Sequence, residues 1–249
     1  MRKQPFTSTG RDTNILFMNE GTAEGHAING VLMDRTADYA VASDVSGDQG
    51  FLTPTNDRDV VLADLNGDGW LDMATAPTLT DNSQKHLSHP RIYINLGESG
   101  GVWQGFRFED ARIPEMHPTA GPRFCSVAAG DIDGDGDLDL YFGDYDSGGS
   151  IIFDYNNRLL INNGSGFFTD ETNSRLTGEM SLSAFGAASV IADMNGDGVM
   201  DVVKQTSLNA PQHVAVTYNN PSNEGVFNRY DIVNQAAPYF VSVDDLNGD

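Results

Sequence analysis

The chain has 249 residues, and its 36 acidic side chains outnumber its 14 lysines and arginines, a formal net charge of −22. That balance argues against nucleic-acid and anionic-membrane partners, which need a basic face, and it suits cations. No run approaches the roughly 20 apolar residues of a membrane-spanning helix, the 39% apolar fraction is enough for a core, and a single cysteine leaves no internal disulfide.

Taken in chain order, the N-terminal "MRKQPFTSTGRDTN" has two basic residues but no apolar stretch behind them, so it does not read as a signal peptide. "NILFMNEG" (14–21) is an apolar strand ending in a turn, and "VLMDRT" (31–36) reads as its return strand. "DVSGDQGFL" (44–52) is acidic and glycine-bearing but reads as a plain loop. Then comes "DVVLA" (59–63), a β-branched run, followed by "DLNGDGWLD" (64–72) and a second apolar run in "WLDMATA".

This arrangement recurs. "DIDGDGDLD" (131–139) lies between "CSVAAG" and "DLDLYFG", and "DMNGDGVMD" (193–201) between "ASVIA" and "VMDVVKQ". "DLNGD" (245–249) follows "YFVSVD". The loops begin at Asp64, Asp131, Asp193 and Asp245, a period of about 60 residues. Upstream of each lies a further strand ending in an asparagine turn: "NILFMNEG", "RIYINLG", "RLLINNGSG" and "HVAVTYNN". "FFTDET" (167–172) reads as a return strand after the third of these. About four strands per unit, with no convincing helix, predict an all-β chain of β-propeller blades. The units expected are 13–80, 90–145, 157–206 and 212–249, the last cut short. A β-sandwich with coincidental acidic loops does not explain a period carried by both loops and strands.

The loops carry the chemistry. At about 4 Å, two carboxylates repel by roughly 4 kcal/mol at an effective dielectric of about 20, so something must cancel that repulsion. Oxygen side chains stand at positions 1, 3, 5 and 9: Asp64, Asn66, Asp68 and Asp72; Asp131, Asp133, Asp135 and Asp139; Asp193, Asn195, Asp197 and Asp201. Positions 4 and 6 are glycine, which lets the backbone turn back so that alternate side chains converge. Position 7 varies (Trp70, Asp137, Val199), as expected where only a main-chain carbonyl is used. Hard oxygen donors of this kind suit Ca²⁺ better than the small octahedron of Mg²⁺. Three complete calcium sites are expected, and a fourth begun by Asp245, Asn247 and Asp249. With four carboxylates against three in the others, the second loop is expected to be the tightest. An EF-hand would need a glutamate at position 12 and flanking helices; Thr75, Phe142 and Lys204 stand there.

The segment "FGAASVIADMNGDGVMDVV" (185–203) resembles the FG-GAP repeat of integrin α-chain propellers and of bacterial VCBS-type repeat proteins. "RLLINNGSGFFTDET" (158–172) resembles the strand and hairpin preceding it in bacterial members, and "LDMATAP" (71–77) the "GAP" end, with Thr75 where glycine is usual. The resemblance implies a propeller, usually of about seven blades, with calcium between the first two strands of a blade. At about 60 residues per unit, seven would need about 420, so about three complete blades and part of a fourth are expected, as a fragment of a longer propeller. It also implies an extracellular setting, and functions that range over adhesion, glycan binding and some polysaccharide-active enzymes.

Catalytic signals are weak. His86 and His89 in "KHLSHPR" have zinc-like spacing, but Pro90 follows and the stretch reads as a solvated loop. His117, with Arg112 nearby, and Asp144 and Asp146 in "GDYDSGG" add no nucleophile, paired-glutamate or phosphate-loop pattern. Cys125 reads as a small buried strand residue. The expectation is a calcium-stabilised extracellular module that recognises a protein or glycan on one propeller face. Lyase-like carbohydrate chemistry is the alternative, and a purely structural stretch of a surface protein a third.

Overall fold

The computed structural model describes residues 11–21, 30–78, 84–116, 123–144, 157–176, 186–206, 214–234 and 240–244. They form an all-β chain. A first hairpin pairs β1 (Phe17–Asn19) with β2 (Leu32–Asp34), followed by the one-turn helix α1 (Thr36–Tyr39) and β3 (Ala42–Ser43). Then come β4 (Asp57–Ala63), β5 (Asp72–Pro77), the one-turn α2 (Lys85–Ser88), β6 (Arg91–Asn95), the small hairpin β7 (Glu98–Ser99) and β8 (Val102–Trp103), and β9 (Phe106–Phe108). β10 (Phe124–Gly130), β11 (Asp139–Asp144), β12 (Arg158–Asn162) and β13 (Phe168–Asp170) follow, then the one-turn α3 (Thr172–Arg175). β14 (Gly186–Ala192), β15 (Asp201–Thr206), β16 (Val214–Asn219) and β17 (Phe227–Asn234) end the series.

Three antiparallel meanders result. The first sheet is ordered β4–β5–β6–β9, with β3 added in parallel outside β9; the second is β10 to β13 and the third β14 to β17, each in chain order. The sheets are phased differently from the units expected from sequence. An acidic loop joins the first two strands of each sheet, and the asparagine-ended strand after it pairs with the same sheet, as Met73 opposite Tyr93 shows. A repeating pattern sets a period but not where the hydrogen-bonded unit starts; the antiparallel pairing of β5 with β6 decides that.

Because successive strand residues face opposite ways, the middle sheet has apolar side chains on both faces. Leu140, Phe142 and Leu160 join Ala74, Ile92 and Phe124 in one core against the first sheet. Tyr141, Leu159 and Ile161 join Val202 and Phe227 in a second core against the third. This is why "LYF" (140–142) and "LLI" (159–161) are continuous apolar runs. Each such leucine or phenylalanine, fully buried, is worth about 1.5–3 kcal/mol. The first sheet's other face packs Tyr93, Phe106 and Phe108 against Ala40 and Phe51. On the third sheet, Val241 and Val243 of the "YFVSVD" run lie over Val203, Val214 and Val216, although residues 240–244 form no strand.

Local motifs repeat as well. Thr36 Oγ donates to Asp34 and accepts from the Leu16 N–H; Thr172 Oγ does the same with Asp170 and Leu159. The first hairpin and α1 thus copy β12, β13 and α3. Asp48, in the plain loop 44–52, holds Arg91 in a two-pronged ion pair at 2.9 and 3.0 Å with neither side chain exposed. The Arg91 guanidinium lies 3.5 Å from the Phe108 ring centre.

His89 corrects the solvated-loop reading. α2 turns the chain inward, and the ring is 3% exposed. The Met116 N–H donates to Nε2 at 3.2 Å, so Nδ1 carries the proton, 2.9 Å from Ser88 Oγ. Glu115 lies 3.2 Å from Nε2 but accepts nothing from the neutral ring, and Ser88 is 1% exposed and donates to the Gln84 carbonyl, so no Ser–His–Glu relay is formed. The group is a buried cap for the chain turn. Burial, with Lys85 and Arg158 adding positive charge, lowers the His89 pKa from 6.5 to about 4. Between these values the unfolded chain binds the extra proton, so the contribution of His89 to stability should fall as pH drops from 6.5 towards 4. The difference in urea midpoint between wild type and His89→Gln reads that contribution, and wild type should lose ground relative to the variant towards pH 4. Cys125 is buried as expected, its thiol pushed up to about 12, chiefly by burial.

Candidate metal centre

Each acidic loop is wound around its first aspartate. Asp64, Asp131 and Asp193 accept the N–H of the position-6 glycine at 2.8, 3.1 and 2.9 Å. Those glycines have φ of 87°, 92° and 91°, where a side chain would be strained. The fifth residue closes the turn: Asp68, Asp135 and Asp197 accept the N–H of Trp70, Asp137 and Val199. The position-7 side chain does more than vary freely. Trp70 lies over Gly97 and Asp137 over Gly164, the hairpin glycines of their own sheets.

Position 9 is a keystone. Asp72, Asp139 and Asp201 are fully buried. One oxygen accepts the N–H of position 2 (Leu65, Ile132, Met194) at 3.0–3.1 Å. The other accepts the N–H of Asn95, Asn162 or Asn219 at 2.8–2.9 Å. Burial raises the pKa of all three, Asp72 to about 6 and Asp139 to about 7, although the two amide N–H groups oppose the shift. Each oxygen keeps a second lone pair for a cation.

From sequence, the three asparagines read only as turn residues. They end β6, β12 and β16, and each donates Nδ2 to the position-8 carbonyl of its own sheet's loop. Asn162 also donates to the Leu65 carbonyl at 2.7 Å, and Asn219 to the Ile132 carbonyl at 2.7 Å. These two bonds cross to the preceding sheet, so the first and second loops are each clasped by the next sheet. Their recurrence at the end of one strand per period is the signal that points to them.

In the second loop, carboxylate oxygens of Asp131, Asp133 and Asp139 lie within 4.8 Å of one another. It is the one such group of three among the described residues. Asp133 Oδ1 is buried without a hydrogen-bond partner, while Oδ2 accepts from Arg175 Nη2 at 2.9 Å. A buried, unpartnered oxygen beside two further carboxylates fits a hard dication. The first and third loops have asparagine at position 3; the Asn66 amide donates to Asp68. Asp245, Asn247 and Asp249 lie outside the described residues, as do His117 and Asp146.

A series of sheets, each built on a four-strand antiparallel meander opened by the same acidic loop, defines a β-sheet repeat protein. The FG-GAP-like repeat matches residues 64–142 and 149–203, more than half the chain, and the protein belongs to that family. None of the curated proteins compared with the chain matches it.

Proposed function

We propose that the chain is a calcium-stabilised β-propeller module, acting where calcium is near millimolar, outside the cytoplasm, and recognising a protein or glycan on one face. One observation carries the calcium reading: in the second loop, three carboxylates meet around a buried unpartnered oxygen, in a frame that the first and third loops repeat. Asp131, Asp133, Asp135, Asp139 and the Asp137 carbonyl would hold the ion there, with Asp64, Asn66, Asp68, Asp72 and the Trp70 carbonyl, and Asp193, Asn195, Asp197, Asp201 and the Val199 carbonyl, as counterparts. The ion would supply charge neutralisation and cross-linking of strands. The recognition reading rests on the family. A glycan array run beside turnover assays on acidic and neutral polysaccharides tests it. Binding without turnover is expected; turnover would make the lyase-like alternative the better account.

Arg175 pairs with Asp133 but is shared with Glu171, and Asp137 adds a further carboxylate to the second loop, so the charge difference from the neighbouring loops is narrowed and not removed. Calorimetric titration should rank the second loop first, by less than its carboxylate count alone implies, since ligand charge count is one lever of calcium affinity. Equal site affinities would show that charge count is not the deciding factor.

A further inference from the structure

Arg175 stands in α3, between the second and third sheets, and is only 15% exposed. Its Nε donates to Glu171 at 2.7 Å and its Nη2 to Asp133 Oδ2 at 2.9 Å, leaving Asp133 Oδ1 unpartnered. On its other side lies the β16–β17 hairpin. A side chain at Gly225 would collide with Arg175 Nη1 and come within 2.9 Å of Asp133 Cβ, and one at Gly134 would collide with the Glu224 carboxylate. The hairpin backbone therefore rests on the ion pair and on the second loop together. The equivalent place between the first two sheets is wired differently. There Arg112 donates to Glu109 and to the Ser165 carbonyl of the neighbouring hairpin, and position 3 is the neutral Asn66.

We propose that Arg175 is a positioning residue that couples cation occupancy of the second loop to docking of the third sheet's hairpin, an inference that rests on the calcium reading above. A cation on Asp133 Oδ1 fixes that carboxylate. The fixed carboxylate holds the guanidinium fork, against which the backbone at Gly225 packs. Without the cation, the second loop's repelling carboxylates loosen the same chain of contacts. The junction at Arg112 has no ligand carboxylate in its path and lacks this dependence.

Hydrogen–deuterium exchange on the whole chain, with calcium and with chelator, tests the coupling. In the wild type, calcium should slow exchange both in residues 131–139 and in the hairpin 220–226, the latter by roughly tenfold, within the range usual for coupled sites. In Arg175→Gln the loop should still respond and the hairpin should not; the Asn219 latch keeps the sheets docked. Arg112→Gln should instead speed exchange in 163–167 equally with and without calcium. Asp133→Asn, which copies position 3 of the other loops, should decouple the hairpin as Arg175→Gln does. A hairpin that responds to calcium equally in wild type and both second-loop variants overturns the coupling. A wild-type loop 131–139 that ignores calcium overturns the calcium reading itself, and the two failures are distinct.

Discussion

Stripping calcium from the protein should lower its melting temperature by about 10 °C. A site with a dissociation constant of about 0.1 mM, in the range of extracellular calcium modules, contributes roughly 1.4 kcal/mol at about 1 mM calcium. Three such sites give about 4 kcal/mol, and in a chain of this size each kcal/mol moves the midpoint by about 2–4 °C. The loss should also depend on pH. Asp72 and Asp139 have folded pKa values raised to about 6 and about 7 against an ordinary 3.8, so without a cation the folded state binds the extra protons. Stability of the chelated protein should therefore fall as pH rises from about 4 through 7, and calcium should remove that slope. Scanning calorimetry at pH 5 and pH 8, with calcium and with chelator, reads both effects. An unchanged midpoint in chelator would sink the calcium reading.

Asn162→Asp should destabilise the protein by about 3–5 kcal/mol, although it changes one side-chain nitrogen to an oxygen. Asn162 is 4% exposed. Its amide donates to the carbonyls of Leu65 and Leu138, and its oxygen accepts from the N–H groups of Gly164 and Gly166. Aspartate keeps the accepting side but turns an anionic oxygen towards two carbonyls, in a site already holding Asp139. Leaving two buried acceptors unsatisfied costs about 1–3 kcal/mol each, and an uncompensated buried charge adds to that. Because one of those carbonyls belongs to the first sheet, the variant should also lose cooperativity between the first and second sheets. Chemical denaturation monitored by Trp70 and Trp103, both in the first sheet's part of the chain, against far-ultraviolet circular dichroism would separate the transitions. Coincident transitions at the wild-type midpoint would show that the latch contributes little.

Much of this protein is legible in its amino-acid sequence. The aspartates and glycines at fixed offsets announce metal-type loops because their geometry is local: nine residues, two obligate turns, alternate side chains converging. The β-branched runs on either side announce strands for the same reason, and the period near 60 residues announces a repeat. What the residues do not declare is decided by contacts between distant parts of the chain. Strand pairing sets the phase of the sheets, placing the asparagine-ended strand with the loop before it. That pairing turns Asn162 and Asn219 from turn residues into latches, each reaching a carbonyl 97 or 87 residues away. It buries position 9 so that Asp72, Asp139 and Asp201 become structural keystones as well as candidate ligands, and it draws His89 out of solvent. The fourth carboxylate of the second loop is visible in the sequence, but Arg175, which pairs with it, lies 42 residues from Asp133. Spacing along the chain therefore specifies the loops, while the charge balance around them depends on side chains brought together only by folding.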